Sequence, residues 1–85
     1  MGGTEQITLR VLFFGATAEA AGRRSTKLEM PYGASSGDAL EELLKLYPGL
    51  TTHKLLYSVN QSYAGGSEQL KSDDELAVFT AVSGG

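Results

Sequence analysis

Apolar residues alternate near the start of the chain. Ile7, Leu9, Val11 and Phe13 share one side of an extended segment, with Thr8 and Arg10 on the other. This period of two predicts a strand over Ile7 to Phe14. Leu12 and Phe14 make the second side apolar as well towards its end. That pattern fits a central strand, or one that meets a partner there. Ala16 to Ala21 can form one or two helical turns, closed by Gly22 at a C-cap position. Arg23-Arg24 read as turn residues. Thr26 to Met30 alternates again, with Leu28 and Met30 on one side, until Pro31-Tyr32-Gly33 breaks the strand.

The pattern then changes from a period of two to one near 3.6. Leu40, Leu43, Leu44 and Tyr47 follow the i, i+3, i+4, i+7 spacing of one buried helix face, with Glu41, Glu42 and Lys45 on the wet side. Ser35 followed by Asp38 fits a capping box, and Pro48-Gly49 stops the helix, so it runs over Ser35 to Tyr47. Leu55 to Asn60 is a further strand, with Leu55, Tyr57 and Val59 alternating. Asn60 to Gly66 turns, with Tyr63 in a short extended piece. Asp73-Asp74 turns again, and Glu75 to Val82 is the last strand.

Strand, strand, helix, strand, short strand, strand is the order of an α+β protein with a mixed sheet packed on one main helix. It is the ubiquitin-like β-grasp arrangement. The expected division is a leader over residues 1–6, a β-grasp domain over 7–82 and a C-terminal tail over 83–85. Met1-Gly2 resembles the start of a myristoylation signal, but Gln6 stands where that signal needs Ser or Thr.

Composition narrows the function classes. At 85 residues the chain holds a single domain with little room for a deep catalytic pocket. A net charge of −3 and a pI of about 4.9 argue against nucleic-acid binding, which needs a basic face, and suit a partner with a basic groove. There is no cysteine, so disulfides and thiolate chemistry are excluded within the chain. No apolar run reaches the roughly 18 residues of a membrane span. The expected location is the cytosol.

The candidate chemistry lies at the C-terminus. A last strand that stops near Ala81 leaves Val82 to Gly85 to reach roughly 13 Å beyond the fold. Gly84-Gly85 lack side chains and can thread a narrow tunnel in another protein. A terminal carboxylate is a poor electrophile. An ATP-using partner can convert it to an acyl-adenylate, from which a persulfide sulfur displaces AMP to leave a thiocarboxylate, a sulfur donor.

Several blocks resemble the small subunit of molybdopterin synthase. Arg10-Val11-Leu12-Phe13-Phe14 resembles that family's Lys-Val-Leu-Phe-Phe strand. Ala18-Glu19-Ala20-Ala21-Gly22 is similar to its Arg-Glu-Leu-x-Gly turn, departing at Ala18 and Ala20. Pro48-Gly49-Leu50 resembles a His-Pro-Gly-Leu segment. Leu55 to Gln61 matches a Leu-Leu-x-x-Val-Asn-Gln block. Leu70 to Phe79 matches Leu-x-x-Gly-Asp-Glu-Val-Ala-Phe-Phe, with Asp73 where a turn glycine is usual. Val82-Ser83-Gly84-Gly85 matches the tail, although Thr80-Ala81 replace the customary Pro-Pro that stiffens its entry.

The resemblance implies a sulfur carrier in molybdenum cofactor biosynthesis. An E1-like adenylyltransferase/sulfurtransferase would use ATP to adenylate Gly85 and then thiocarboxylate it. The tail, with Gly84, would enter the large subunit of a heterotetramer of two small and two large subunits and deliver sulfur to cyclic pyranopterin monophosphate. Catalytic residues for the pterin would belong to the large subunit. No cofactor is expected to reside on this chain. Phe14, Tyr63, Phe79, Thr80, Val82 and Ser83 would touch the partner.

Rival readings are a sulfur carrier for thiamin synthesis or tRNA thiolation, a ubiquitin-like modifier that forms isopeptide bonds, and a plain interaction domain. The Val59-Asn60-Gln61 block and the Phe13-Phe14 strand favour the molybdopterin synthase reading over these. His53 lacks a second histidine or a cysteine for a metal site and reads as a loop residue. Asp73-Asp74-Glu75 reads as turn chemistry and not as a cation site. Glu41-Glu42 reads as a solvated helix face.

Overall fold

The computed structural model describes residues 5–81. Five strands form one mixed sheet: β1 (Gln6–Phe13), β2 (Ser25–Pro31), β3 (Leu55–Val59), β4 (Ser62–Tyr63) and β5 (Glu75–Thr80), in the spatial order β2-β1-β5-β3-β4. β1 runs antiparallel to β2, with Leu9 opposite Leu28, and parallel to β5, with Val11 opposite Leu76. β5 runs antiparallel to β3, with Val78 opposite Tyr57. This is the α+β, ubiquitin-like β-grasp that the pattern of periods foretold. Gln6, assigned to the leader from sequence, is the first residue of β1 and sits opposite Pro31. β5 ends at Thr80, two residues short of the expected strand end, and Val82 lies outside the described residues.

One side of the sheet is sealed. Ile7, Leu9, Val11 and Phe13 from β1, Leu28 and Met30 from β2, and Leu76 and Val78 from β5 are buried together against the helices. α1 (Ala16–Ala21) is a short helix that ends on Gly22 in the left-handed conformation (φ 76°), as a C-cap glycine should. α2 (Ser36–Leu46) is the main helix. Its capping box is complete: Asp38 N–H donates to Ser35 Oγ at 3.2 Å, and Ser35 N–H donates to Asp38 Oδ2 at 3.0 Å.

The buried stripe of α2 is rotated from the expected one. Ser36, Ala39 and Leu43 are buried, while Leu40, Leu44 and Tyr47 are partly buried around them. Small residues at positions 36 and 39 let the helix approach closely there, so burial follows contact distance more than hydrophobicity. Gly37 shows how close: a Cβ there would come within 3.0 Å of the Gly66 carbonyl oxygen.

Pro48 does more than stop α2. Pro48–Thr52 forms a 3₁₀ turn whose Leu50 is fully buried in the core. The ring of Tyr47, just before it, meets Phe13 edge-on at 5.4 Å.

Candidate functional site

The sheet's other side has no helix over it among the described residues, yet where β5, β3 and β4 meet the end of β1 it is apolar. Leu12 pairs with Ala77, Ala77 with Ser58, and Leu56 with Phe79, so alternation puts all five on the outer side. Tyr63 of β4, opposite Ser58, joins them, its ring 5.9 Å from that of Phe79. Tyr63 is 78% exposed, Phe14 52% and Leu56 37%. Apolar side chains gathered on one open face form the exposed patch on which a docking reading can rest.

Parallel pairing of β1 and β5 sets the site's layout. Phe13 lies opposite Val78, so β1 and β5 finish at the same end of the sheet. Phe14 and the departure of the chain at Ala81 therefore share that end. Phe14 is held by its backbone: its N–H donates to Val78 O at 3.0 Å. The buried Thr17 hydroxyl is shared between Phe14 O at 2.7 Å and Val78 O at 2.9 Å. Phe14 therefore presents an exposed ring on a fixed main chain.

Two turns fix the strands that carry the patch. Asn60 and Gln61 link β3 to β4 as a two-residue hairpin with φ of 50° and 72°, the sign a type I′ turn needs at both positions. Asn60 Nδ2 donates to Asp74 Oδ1 at 2.9 Å, and Glu75 N–H donates to Asn60 Oδ1 at 2.9 Å, tying that hairpin to the start of β5. Asp73, where the family's turn glycine was expected, has φ 72°. Asp74 Oδ2 also accepts from Lys71 N–H, so Asp74 acts as a turn residue in this structure.

Beyond Tyr63 the loop is pinned by Glu68. Its carboxylate accepts from Ser36 Oγ at 2.6 Å and from the Gly65 and Gly66 N–H groups at 2.9 and 3.0 Å. The Ser36 hydroxyl first, and then the backbone N–H donors, hold its pKa well below the usual carboxylate range, at about 2. Sequence reasoning passed over Glu68, because its donors lie far along the chain or in the backbone.

Of the residues expected to touch a partner, the structure brings Tyr63 and Phe79 together and places Phe14 at the sheet end where the chain departs. Thr80 lies apart from them: it pairs with Leu55, whose side packs towards the helices, so Thr80 faces away from Tyr63 and Phe79. Val82, Ser83, Gly84 and Gly85 lie outside the described residues. Leu56, Ala77 and Ser58 of the outer face were missed, although the apolar Leu56 at an outward position of β3 is a readable signal. His53 is half-buried at the end of the 3₁₀ turn. Among the described residues no three His, Cys, Asp or Glu gather as a metal site requires, and no helix is long and apolar enough to cross a membrane.

Comparison with known proteins decides the family, because residues 11–85 match the ThiS family. The chain belongs to the ThiS family. A molybdopterin synthase sulfur carrier subunit from Arabidopsis thaliana is 30% identical, over 96% of this chain and 88% of that protein. One from Mycobacterium tuberculosis is 34% identical, over 93% and 99%. The crystal structure of small archaeal modifier protein 1 from H. volcanii superposes with a TM-score of 0.82 at 27% identity, covering 89% of this chain and 99% of that one. As a member of the ThiS family with this fold, the chain shares its ubiquitin-like architecture with both carriers and modifiers.

Proposed function

We propose that this chain is the sulfur-carrier subunit of a molybdopterin synthase. The observation that carries the reading is continuity. The strand bearing Ala77 and Phe79 on the open apolar face runs on towards Gly84-Gly85, within a family match that extends to residue 85. A partner that grips the face receives the tail in a defined direction.

The Gly85 carboxylate attacks the α-phosphorus of ATP on an E1-like adenylyltransferase/sulfurtransferase, releasing pyrophosphate and forming the acyl-adenylate. The terminal sulfur of a protein persulfide then displaces AMP. A thiol cleaves the resulting acyl disulfide, which leaves a thiocarboxylate on Gly85 and a disulfide on the donor. The large subunit, in a heterotetramer of two small and two large chains, presents cyclic pyranopterin monophosphate to that sulfur. Phe14, Tyr63 and Phe79 provide the docking contacts. Val82, Ser83 and Gly84 line the way into the partner. Thr80 and Ala81, without the stiffening prolines, give the tail a looser hinge. No catalytic group for the pterin resides on this chain, and it acts in the cytosol.

The test supplies the chain with a C-terminal thiocarboxylate to a molybdopterin synthase large subunit and cyclic pyranopterin monophosphate. Molybdopterin is expected from the thiocarboxylate form and not from a chain lacking Gly85. A null result beside a working small subunit would sink the proposal. Likeness to an archaeal modifier favours a second reading, attachment through Gly85 to target lysines. Gly85-dependent high-mass conjugates in cells would support it.

A further inference from the structure

Beside the aromatic part of the open face lies a groove of different chemistry. It occupies about 820 Å³ between the end of β1, α1 and the β2 turn, with Leu12, Phe14 and Ala18 on its walls and Arg23 and Arg24 at its rim. A smaller hollow of about 310 Å³ shares Leu12 and Ser25 with it and adds Arg10 and Lys27. Four of the chain's seven Lys and Arg residues thus line one strip, against a single lining carboxylate, Glu19. The strip carries a formal +3 while the whole chain carries −3, so the remainder of the molecule is −6. Glu75 engages Arg10 at 3.8 Å, and Arg23 lies over the Tyr47 ring at 5.7 Å. Among the described residues, Arg24 and Lys27 have no carboxylate partner within salt-bridge distance.

We propose that this strip docks a short acidic segment of a protein partner, one that carries an aliphatic or aromatic anchor side chain between its carboxylates. The anchor fits against Leu12, Phe14 and Ala18, and the carboxylates meet Arg24 and Lys27. The charge distribution sets the length of the ligand. A polyanion longer than the groove runs onto the −6 remainder and is repelled, whereas a short acidic segment stays within about one Debye length (~8 Å) of the cations. That separates an acidic peptide from a nucleic acid. The site shares Phe14 with the docking contacts proposed above, but it requires no sulfur on Gly85, so a failed peptide titration and a failed sulfur transfer are read separately.

The experiment titrates the isotope-labelled full chain with the peptide Glu-Asp-Glu-Phe-Glu-Asp and follows its amide resonances. The neutral analogue Gln-Asn-Gln-Phe-Gln-Asn and an oligothymidylate are run alongside. Shifts are expected at Leu12, Phe14, Arg24, Ser25 and Lys27 with the acidic peptide alone, weakening as salt is raised. The double reversal Arg24→Glu with Lys27→Glu is expected to weaken binding about 10-fold, with Arg24→Gln showing a smaller loss if the reversal disturbs folding. No shift at millimolar peptide would overturn the proposal. So would shifts centred on Tyr63 and Phe79, an equal response to the neutral analogue, tighter binding of the oligothymidylate, or charge variants that bind as well as the parent.

Discussion

The two sides of the one sheet carry similar apolar side chains and meet opposite fates. On the inner side Leu9, Val11, Leu76 and Val78 have no solvent exposure, because α1, α2 and the Leu50 turn cover them. On the outer side Leu56, Phe79 and Tyr63 lie side by side, but no element covers them among the described residues. The inner side turns hydrophobic area into stability. The outer side leaves the same kind of area exposed, the area that the proposed docking would bury. Hydrophobicity alone therefore does not separate core from interface; the supply of covering elements does. A chain with one long helix has enough to seal one side of five strands.

Substitutions on the two sides sharpen that contrast. The largest effect is expected inside. Leu76→Ala should cost about 2–5 kcal/mol, read as a lowered denaturant midpoint with little change in slope. Tyr63→Ala on the outer side should leave the unfolding free energy within about 1 kcal/mol of the parent yet weaken binding to a large subunit by about 10-fold, measured by calorimetry. Equal losses of stability for both variants would erase the distinction.

Thr17→Val tests the joint between the sides, since its hydroxyl bridges the carbonyls of Phe14 and Val78. About 1–2 kcal/mol is expected from thermal unfolding, because both carbonyls keep a backbone donor and lose only the shared one. Asp73→Gly should move the other way. It relieves a left-handed backbone at φ 72° and should raise stability by about 0.5–1 kcal/mol. A fall in the melting temperature would show that Asp73 does something its backbone does not reveal.

The pH profile isolates Glu68. Its folded pKa of about 2 lies below the usual 4.5, so the carboxylate's contribution is fully present above pH 4.5. It is lost as the pH falls from 4.5 towards 2. Glu68→Gln should therefore differ from the parent in urea midpoint at neutral pH and converge with it at about pH 2. Parallel profiles would mean that the Ser36, Gly65 and Gly66 hydrogen bonds do not favour the ionised form.

The sequence pattern made the element order legible because strands and helix differ in period. It marked the Ser35–Asp38 capping box, the Gly22 stop and the Asp73-Asp74 turn, all of which depend on residues within a few positions of one another. The resemblance to the molybdopterin synthase small subunit, and not the pattern of periods, placed Phe14, Tyr63 and Phe79 among the candidate contacts. The pattern missed the turn that buries Leu50, since Pro48-Gly49 marks an ending without saying what the following residues touch. It turned the buried stripe of α2 away from Ala39, because periodicity weighs side chains by hydrophobicity and not by the closeness small residues permit.

By itself, then, the sequence determined the local facts: which segments extend, where the helix starts and stops, and that Gly84-Gly85 follow the last strand. The tertiary structure alone decided which side of the sheet is sealed and which stays open, that Thr80 turns away from Phe79, and that Arg24 and Lys27 border the same strip. Those outcomes depend on register and on the parallel pairing of β1 with β5, which joins residues more than sixty positions apart. Contacts at that separation leave no mark in the spacing of nearby side chains.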